Sequence, residues 1–187
     1  MRRRGLIIAV SGSAGSGKTT YAAHLSKELG LKLVSAGKIF RKIAEERGLT
    51  LEELNREALE SPSVDFLIES EVIREASSGG AVIEGHLAAW AVAGVADLLV
   101  FLDAPLEVRV LRIASREGRP LGEVVVETTK RELLEALRYK KFYGIDVTDQ
   151  GFFHVKLDTS LASEEEIKET LTDLVKRILK LGASTTH

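Results

Sequence analysis

Residues 6–19 of the chain read LIIAVSGSAGSGKT. The apolar first half predicts a buried β-strand, and the run from Gly12 to Thr19 matches the pattern G-x-x-x-x-G-K-[ST] at every fixed position. A helical pattern opens at Lys18, so the motif lies between a strand and a helix, which is the context of a phosphate-binding loop. The stretch therefore predicts a site for a nucleoside triphosphate.

The residue types of this loop suit the chemistry of a bound phosphate. Glycines let the backbone wrap around the phosphate with its N–H groups directed inward, and the N-terminus of the next helix adds positive potential. Lys18 is expected to reach the β- and γ-phosphates, and the Thr19 hydroxyl to bind Mg²⁺. We predict ATP-binding residues at Gly12, Ser13, Ala14, Gly15, Ser16, Gly17, Lys18, Thr19 and Thr20.

Outward from the loop, short apolar runs alternate with longer helical patterns. Strands are predicted at residues 6–11, 32–35, 81–84, 98–102 and 152–157. Such continuous apolar strands, separated by helices, indicate a parallel sheet covered on both faces. The predicted fold class is α/β.

Helices are predicted at residues 18–29, 38–47, 61–76, 105–117 and 122–143. Two more are expected to start at the capping boxes Thr50-x-x-Glu53 and Ser163-x-x-Glu166. In the third of these helices, Ser61 is the expected cap and Pro62 the expected first-turn residue. Residues 182–187 are expected to form a frayed tail.

Composition limits the class of protein. The chain has 187 residues, of which 44% are hydrophobic and 29% charged, as is typical of one globular domain. Its net charge of −2 gives no general attraction to nucleic acid or to a membrane surface, and neither partner is expected. Cysteine is absent, which excludes a disulfide framework and fits a cytoplasmic protein.

Two stretches resemble targeting or membrane segments. The Arg2-Arg3-Arg4 triplet is followed by an apolar run that is too short for the core of a signal peptide. Residues 87–102 are apolar but fall short of the length of a bilayer span. We predict no membrane element in either place.

A local excess of positive charge lies in the second half of the chain. Nine basic and five acidic residues occur between Arg109 and Lys141, and Arg109, Arg112 and Arg116 share one helix face. Arg131 and Arg138 share a face of the next helix. Two arginine-bearing helices joined by residues 118–122 suit a lid that closes over phosphates and stabilises the charge of a transferring phosphoryl group.

Several functions remain open at this point. The guanine-reading Asn-Lys-x-Asp motif is absent, and the chain is too short for the large ATPase classes. A kinase for a small acceptor is favoured: a nucleoside monophosphate, or an alcohol for which Glu84 is the only evident general base. The alternative class is an ATP-driven conformational switch without small-molecule turnover, although a switch has no use for a cationic lid.

Several motifs together resemble the archaeal type of cytidylate kinase. Besides the phosphate loop they are SAGKIFR from Ser35, EGHLAAW from Glu84, FLDAPLEVR from Phe101, and R-Y-x-x-x-Y-G-I-D from Arg138. The resemblance runs in order over about residues 5–180. It implies a five-stranded parallel P-loop core at about residues 5–36, 79–108 and 150–181, in a three-layer α/β/α fold. It also implies a helical monophosphate-binding insertion at about 37–78 and a helical lid at about 109–145.

The resemblance further implies roles for individual residues. Arg41 matches the arginine that grips the acceptor phosphate, and Glu84 an acidic residue that holds Mg²⁺-bound water. Arg131, Glu132, Glu135 and Arg138 match a lid pattern that contacts the acceptor nucleotide and the transferring phosphate. Arg112 and Arg116 match lid arginines near the donor phosphates.

The remaining expectations concern the acceptor side and the assembly. We assign Ser35, Arg41, Gly85, His86, Glu132 and Glu135 to acceptor binding. His86 stands where the family usually has arginine, so three roles are open to it: base reading, a weaker phosphate contact, or none. The expected catalytic residues are Lys18, Arg112, Arg116, Arg131 and Arg138. The expected cofactors are ATP and Mg²⁺, with Mg²⁺ held by Thr19 and Glu84. We expect a monomer that converts CMP or dCMP to the diphosphate.

Overall fold

A computed structural model describes the backbone of residues 5–184 and the side chains of residues 5–180. Its strands are β1 (Ile7–Gly12), β2 (Lys32–Ser35), β3 (Ala81–Glu84), β4 (Leu98–Asp103) and β5 (Val155–Asp158). They form one sheet of parallel pairs in the order β2-β3-β1-β4-β5. The predicted α/β class with five parallel strands is confirmed.

Eight helices connect or follow these strands in the described residues. They are α1 (Lys18–Leu29), α2 (Ala36–Arg47), α3 (Leu51–Glu60), α4 (Ser63–Ser77), α5 (Ala88–Val92), α6 (Leu106–Glu117), α7 (Leu121–Tyr143) and α8 (Glu164–Ser184). Within the described part of the chain, no helix combines the length and apolar character that a bilayer span requires.

The central strand β1 shows why the sheet is covered on both faces. Ile7 and Ala9 belong to a core that includes side chains of α4 and α5, whereas Ile8 and Val10 belong to a second core with α1 and α8. Alternate residues of a strand point to opposite faces, so a wholly apolar strand needs a helical layer on each side. The result is a three-layer α/β/α arrangement.

Helices α2 to α4 lie between β2 and β3 in the chain and have a small core of their own. That core is formed by Ala44, Leu54, Ala58 and Val64. Helices α6 and α7 lie between β4 and β5, and their shared core includes Ala14 of the phosphate loop. The helices of the predicted insertion and of the predicted lid thus each have a small core of their own. The division of the chain into a core, an insertion and a lid stays a prediction.

The beginning of β5 differs from the prediction. Residues 152–154 are not part of the strand: Gly151 and Phe152 form a turn, and the rings of Phe152 and Phe153 pack on Trp90 at centroid distances of 5.1 and 5.3 Å. The Nδ1 atom of His154 accepts the N–H of Leu99 at 2.9 Å. The His154 backbone N–H donates to the Leu99 carbonyl at 3.0 Å while its side chain takes the Leu99 N–H, so regular strand pairing with β4 starts only at Val155.

Two helix ends and one additional helix also differ from the prediction. Pro62 is the N-cap of α4 rather than a first-turn residue, because α4 begins at Ser63. Helix α5 was not expected, and α8 continues to Ser184 instead of fraying at residue 182. Residues 185–187 and the Arg2-Arg3-Arg4 triplet lie outside the described residues.

Candidate active site

One large cleft, of about 1030 Å³, opens beyond the carboxyl ends of β1 and β3. Its walls come from the phosphate loop, from the insertion helices and from α6 and α7. Crevices at this end of a parallel α/β sheet are the usual ligand sites, because the connecting loops and helix N-termini converge there. The cleft is therefore the candidate active site.

The phosphate loop contributes six residues to the cleft wall, namely Ala14, Gly15, Gly17, Lys18, Thr19 and Thr20. Gly12, Ser13 and Ser16 do not line it. Gly12 is the last residue of β1, where a Cβ atom would lie 1.9 Å from the carbonyl oxygen of Leu102 on β4. This glycine is required by the close approach of the two strands, and its predicted ATP contact is not seen in the cleft lining.

Ser13 and Ser16 shape the loop from behind. The Ser16 N–H donates to the Ser13 carbonyl at 3.2 Å, and that carbonyl also accepts from the Lys18 ammonium at 2.7 Å. Gly17 is the N-cap of helix α1 and has a φ of 88°, a left-handed conformation that favours glycine. The loop is thus held in a turn that directs the start of α1 into the cleft.

Lys18 is buried between cationic and anionic neighbours. Burial lowers the pKa of its ammonium group to about 8, and Arg131 acts in the same direction. The carboxylates of Glu84 and Glu135 oppose that shift. A negatively charged ligand would raise the pKa of such a lysine, because it stabilises the protonated ammonium form.

We expect the binding of MgATP at pH 8 to take up about half a proton per molecule, since a group with a pKa near 8 is half protonated beforehand. Calorimetric titrations in two buffers of different ionisation enthalpy measure this uptake. Above pH 8 the affinity is expected to fall, because the lysine must then be protonated to bind. Lys18→Met is the control that abolishes the uptake, and equal heats in both buffers for the native chain would contradict the assignment.

Ser35 and Glu84 are neighbours at the ends of β2 and β3. The Ser35 hydroxyl donates to the Glu84 carboxylate, and it accepts the Lys38 N–H at 3.2 Å, which caps helix α2. Glu84 is buried, and both residues line the cleft. Ser35 therefore caps helix α2 and also lines the cleft, where it was predicted to bind the acceptor.

Arg131, Glu135 and Arg138 project into the cleft from α7, and His86 faces them from the loop after β3. The Nδ1 atom of His86 lies 3.4 Å from Glu135 Oε2, and the Nε atom of Arg131 lies 4.0 Å from Glu135 Oε1. Burial and the nearby cations lower the pKa of His86 well below its ordinary value, whereas burial raises the pKa of Glu135. Burial and the surrounding cations therefore disfavour the charged form of His86.

Arg138 is held in place from the insertion. Its Nε atom lies 3.1 Å from Asp65 Oδ2, both side chains are buried, and the guanidinium lies 5.0 Å from the centre of the Tyr139 ring. Because Asp65 belongs to α4, the pair connects the insertion to α7. Sequence reasoning predicted Arg138 but missed its partner.

The other predicted arginines line different parts of the cleft. Arg112 donates to Thr159, at 2.8 Å to the hydroxyl and 2.7 Å to the carbonyl, so the end of β5 fixes its direction. Arg116 is more exposed and donates to Glu117 at 2.7 Å. Arg41 is exposed on α2, and Gly85 lines the cleft beside His86.

Among the predicted site residues on α6 and α7, Glu132 is the exception, because it does not line the cleft. Its Oε1 atom accepts the backbone N–H of Ala14 at 3.0 Å and the Nη1 of Arg109 at 2.6 Å. Glu132 and Glu135 are three residues apart on one helix, yet only Glu135 lines the cleft. The expected acceptor contact of Glu132 is corrected to a contact with the phosphate loop.

Besides Asp65, the insertion lines the cleft with further residues that were not anticipated as site residues, among them Phe40, Asn55, Ile68 and Glu69. Neither Asn55 nor Glu69 has a hydrogen bond or ion pair recorded within the described residues, and burial together with Asp65 raises the pKa of Glu69. The one signal for Glu69 in the sequence was its i, i+4 spacing from Asp65 on a predicted helix, and Asn55 had no comparable signal. Spacing alone does not distinguish a cleft wall from a solvated face.

The fold and the cleft define a small P-loop kinase. Among solved structures, the chain is similar to a shikimate kinase from Bacteroides thetaiotaomicron, with a TM-score of 0.62 and 16% identity over 91% of this chain and 98% of that one. A gluconokinase from Sinorhizobium meliloti gives a TM-score of 0.59 and 16% identity over 99% of both chains. At these identities the likeness concerns the fold.

The chain belongs to the cytidylate kinase-like family, whose family model matches residues 7–161. It is 47% identical over 168 residues to a cytidylate kinase of Aeropyrum pernix, covering 90% of this chain and 98% of that protein. A cytidylate kinase of Desulfurococcus amylolyticus is 43% identical over 176 residues, covering 92% and 94% respectively. The resemblance read from the motifs is thereby confirmed.

Proposed function

We propose that the chain transfers the γ-phosphoryl group of ATP to CMP or dCMP and releases ADP with CDP or dCDP. One observation carries the proposal: a single cleft has the phosphate loop on one wall, insertion side chains on another, and Arg131 and Arg138 among its lining. Two phosphorylated substrates with facing phosphates fit such an arrangement of cations. The relatives named cytidylate kinase support the choice of acceptor.

The chemistry requires positioning more than proton transfer. The phosphate of a nucleoside monophosphate is an oxyanion at neutral pH, so it attacks without a general base or a covalent enzyme intermediate. Lys18, Arg131 and Arg138 would neutralise the charge that spreads over the transferring group. Arg41 would orient the acceptor phosphate, and Arg112 with Arg116 would contact the donor.

The residues present fit a magnesium ion. The hydroxyl of Thr19 and the buried carboxylate of Glu84 line the same cleft and are oxygen ligands of the kind that Mg²⁺ prefers. Within the described residues no three or more His, Cys, Asp or Glu side chains form a metal-binding group, and Mg²⁺ in phosphate sites usually keeps water and phosphate oxygens among its ligands. Bound in this way, Mg²⁺ would neutralise charge on the donor phosphates.

Asn55 and Glu69 are suited to reading the base of the acceptor. Cytosine presents an amino group where uracil presents a carbonyl oxygen. A carboxylate such as Glu69 accepts from the amino group and repels the carbonyl, while the Asn55 amide can pair with either neighbouring edge. Phe40 and Ile68 add apolar surface for a flat ring beside them.

For Glu69→Gln we expect the ratio of kcat/KM for CMP over UMP to fall by about tenfold, since one charge-assisted hydrogen bond is worth about 1.5 kcal/mol. The measurement is ADP formation with each acceptor at low concentration. Glu60→Gln is the matched control, because Glu60 is an exposed acid on the same insertion. An unchanged ratio for Glu69→Gln would remove this residue from base recognition.

The function itself is tested by ADP formation from MgATP with CMP, dCMP, UMP, AMP, dTMP and a small alcohol such as gluconate, each tested separately. Preference for CMP and dCMP is the expected result. Preference for another monophosphate would overturn the acceptor, and turnover of the alcohol alone would make Glu84 a general base. No turnover with any acceptor would favour an ATP-driven switch. The monomeric state and the cytoplasmic location stay predictions.

A further inference from the structure

A network of hydrogen bonds joins the middle of helix α7 to the phosphate loop, and no substrate contact is needed to explain it. The Glu132 carboxylate accepts the Ala14 N–H at 3.0 Å and pairs with Arg109 Nη1 at 2.6 Å and Nη2 at 3.3 Å. Arg109 also donates to the Ala14 carbonyl at 2.8 Å and to the Ala104 carbonyl at 2.9 Å. Both polar groups of the Ala14 backbone are thereby taken up by side chains of α6 and α7.

The network is buried and geometrically restrictive. The Arg109 side chain is 9% exposed and that of Glu132 28%, so the charge-assisted bonds are largely shielded from water. The backbone of α6 also approaches the loop closely, because a Cβ atom on Gly15 would lie 2.6 Å from the Arg109 carbonyl oxygen. The phosphate loop therefore rests directly on the two helices that carry the cleft arginines.

Glu132 is adjacent in sequence to Arg131, which lines the cleft, and both belong to the continuous 23-residue helix α7. Successive residues of an α-helix lie about 1.5 Å apart along its axis, so an anchor at Glu132 restrains the backbone that carries Arg131. The anchor acts on the loop that would hold the donor phosphates. The position of Arg131 relative to the phosphate loop is consequently restrained.

We propose that Glu132, together with Arg109, is a positioning residue that aligns Arg131 with the phosphoryl group held by the phosphate loop. This inference rests on the proposed kinase function and assigns Glu132 a role different from binding the acceptor. A displacement of about 1 Å at a transferring group costs about 100-fold in rate, and that is the size of effect such an anchor controls.

The test is a double-mutant cycle between Glu132→Ala and Arg131→Ala. Alone, Glu132→Ala is expected to lower kcat by about 100-fold with little change in KM for CMP. In the Arg131→Ala background the same change is expected to cost less than about threefold, because the side chain that Glu132 aligns is already gone. Glu132→Gln keeps an oxygen for the Ala14 N–H and is expected to restore most of the lost rate. Glu123→Ala, an exposed acid on α7, is the matched control.

A second readout does not depend on turnover and covers the case in which Glu132→Ala folds poorly. Hydrogen exchange of the Ala14 amide, followed by NMR on the ligand-free chain, is expected to be slow in the native protein and in Glu132→Gln. We expect it to be at least about tenfold faster in Glu132→Ala.

The outcomes separate the two proposals. Equal losses in both backgrounds, a rise in KM for CMP alone, or an unprotected Ala14 amide in the native chain would overturn the positioning role. Failure of the proposed function appears differently, as an absence of CMP-dependent turnover by the native chain while the Ala14 amide is still protected.

Discussion

Replacing Arg131 by alanine is expected to lower kcat by about 10³-fold while the affinity for MgATP stays within about threefold, because arginines that stabilise a transferring phosphoryl group contribute factors of this size. Arg131 lines the cleft, and its positive charge lowers the pKa of the buried Lys18 ammonium. Its buried Nε atom has no hydrogen-bond partner within the described residues.

The measurements are steady-state turnover with CMP and calorimetric titration with MgATP. Lys130→Ala is the matched control, since Lys130 is an exposed cation on the same helix outside the cleft lining. Its kcat is expected to equal that of the native chain. Near-normal turnover of Arg131→Ala would show that this arginine does not act on the phosphoryl group. An equal loss in both variants would show instead that the general charge of α7 matters.

The second large effect is expected for Asp65→Ala, which leaves the Arg138 guanidinium buried without its counter-ion. Removing one partner of a buried ion pair costs about 3 kcal/mol in free energy of unfolding. The cost arises because both side chains are buried and their charged atoms lie 3.1 Å apart. Urea denaturation measures the loss, and Asp173→Ala, an exposed acid on α8, is expected to change stability by less than about 0.5 kcal/mol.

Asp65→Ala together with Arg138→Met separates the charge from the packing. An apolar pair removes the uncompensated cation, so the double variant is expected to be more stable than Asp65→Ala alone. Its kcat is nevertheless expected to stay low, because the proposed neutralising charge of Arg138 is missing. Additive losses of stability in the two single variants would mean that Asp65 and Arg138 do not act as a pair.

The same two residues illustrate what could be predicted from the chain and what could not. Arg138 was expected in the cleft because its position matches a family pattern and the arginines recur on one helix face. Asp65 was not anticipated, since it lies on the insertion, far away in sequence. The contact between them depends on how α4 packs against α7, and no local pattern encodes that.

Glu132 and Glu135 make the same point within one helix. Both fit the lid pattern, and the sequence treats them alike. Three residues correspond to 300° around a helix axis, a 60° difference in direction, and here that difference decides which carboxylate enters the cleft. Arg109 and the Ala14 backbone take up one of them, whereas His86 and Arg131 face the other.

The sequence by itself determined the α/β class, the position of the phosphate loop and the family. These features depend on local regularities: apolar runs that must be buried on both faces, a glycine pattern that only a tight loop requires, and the order of motifs along the chain. The tertiary structure decided the partners of the cleft residues, the role of Gly12 at the β4 contact, and the departure of Glu132 from the cleft. Those outcomes depend on the directions in which side chains from distant elements meet, and direction is set by packing between elements.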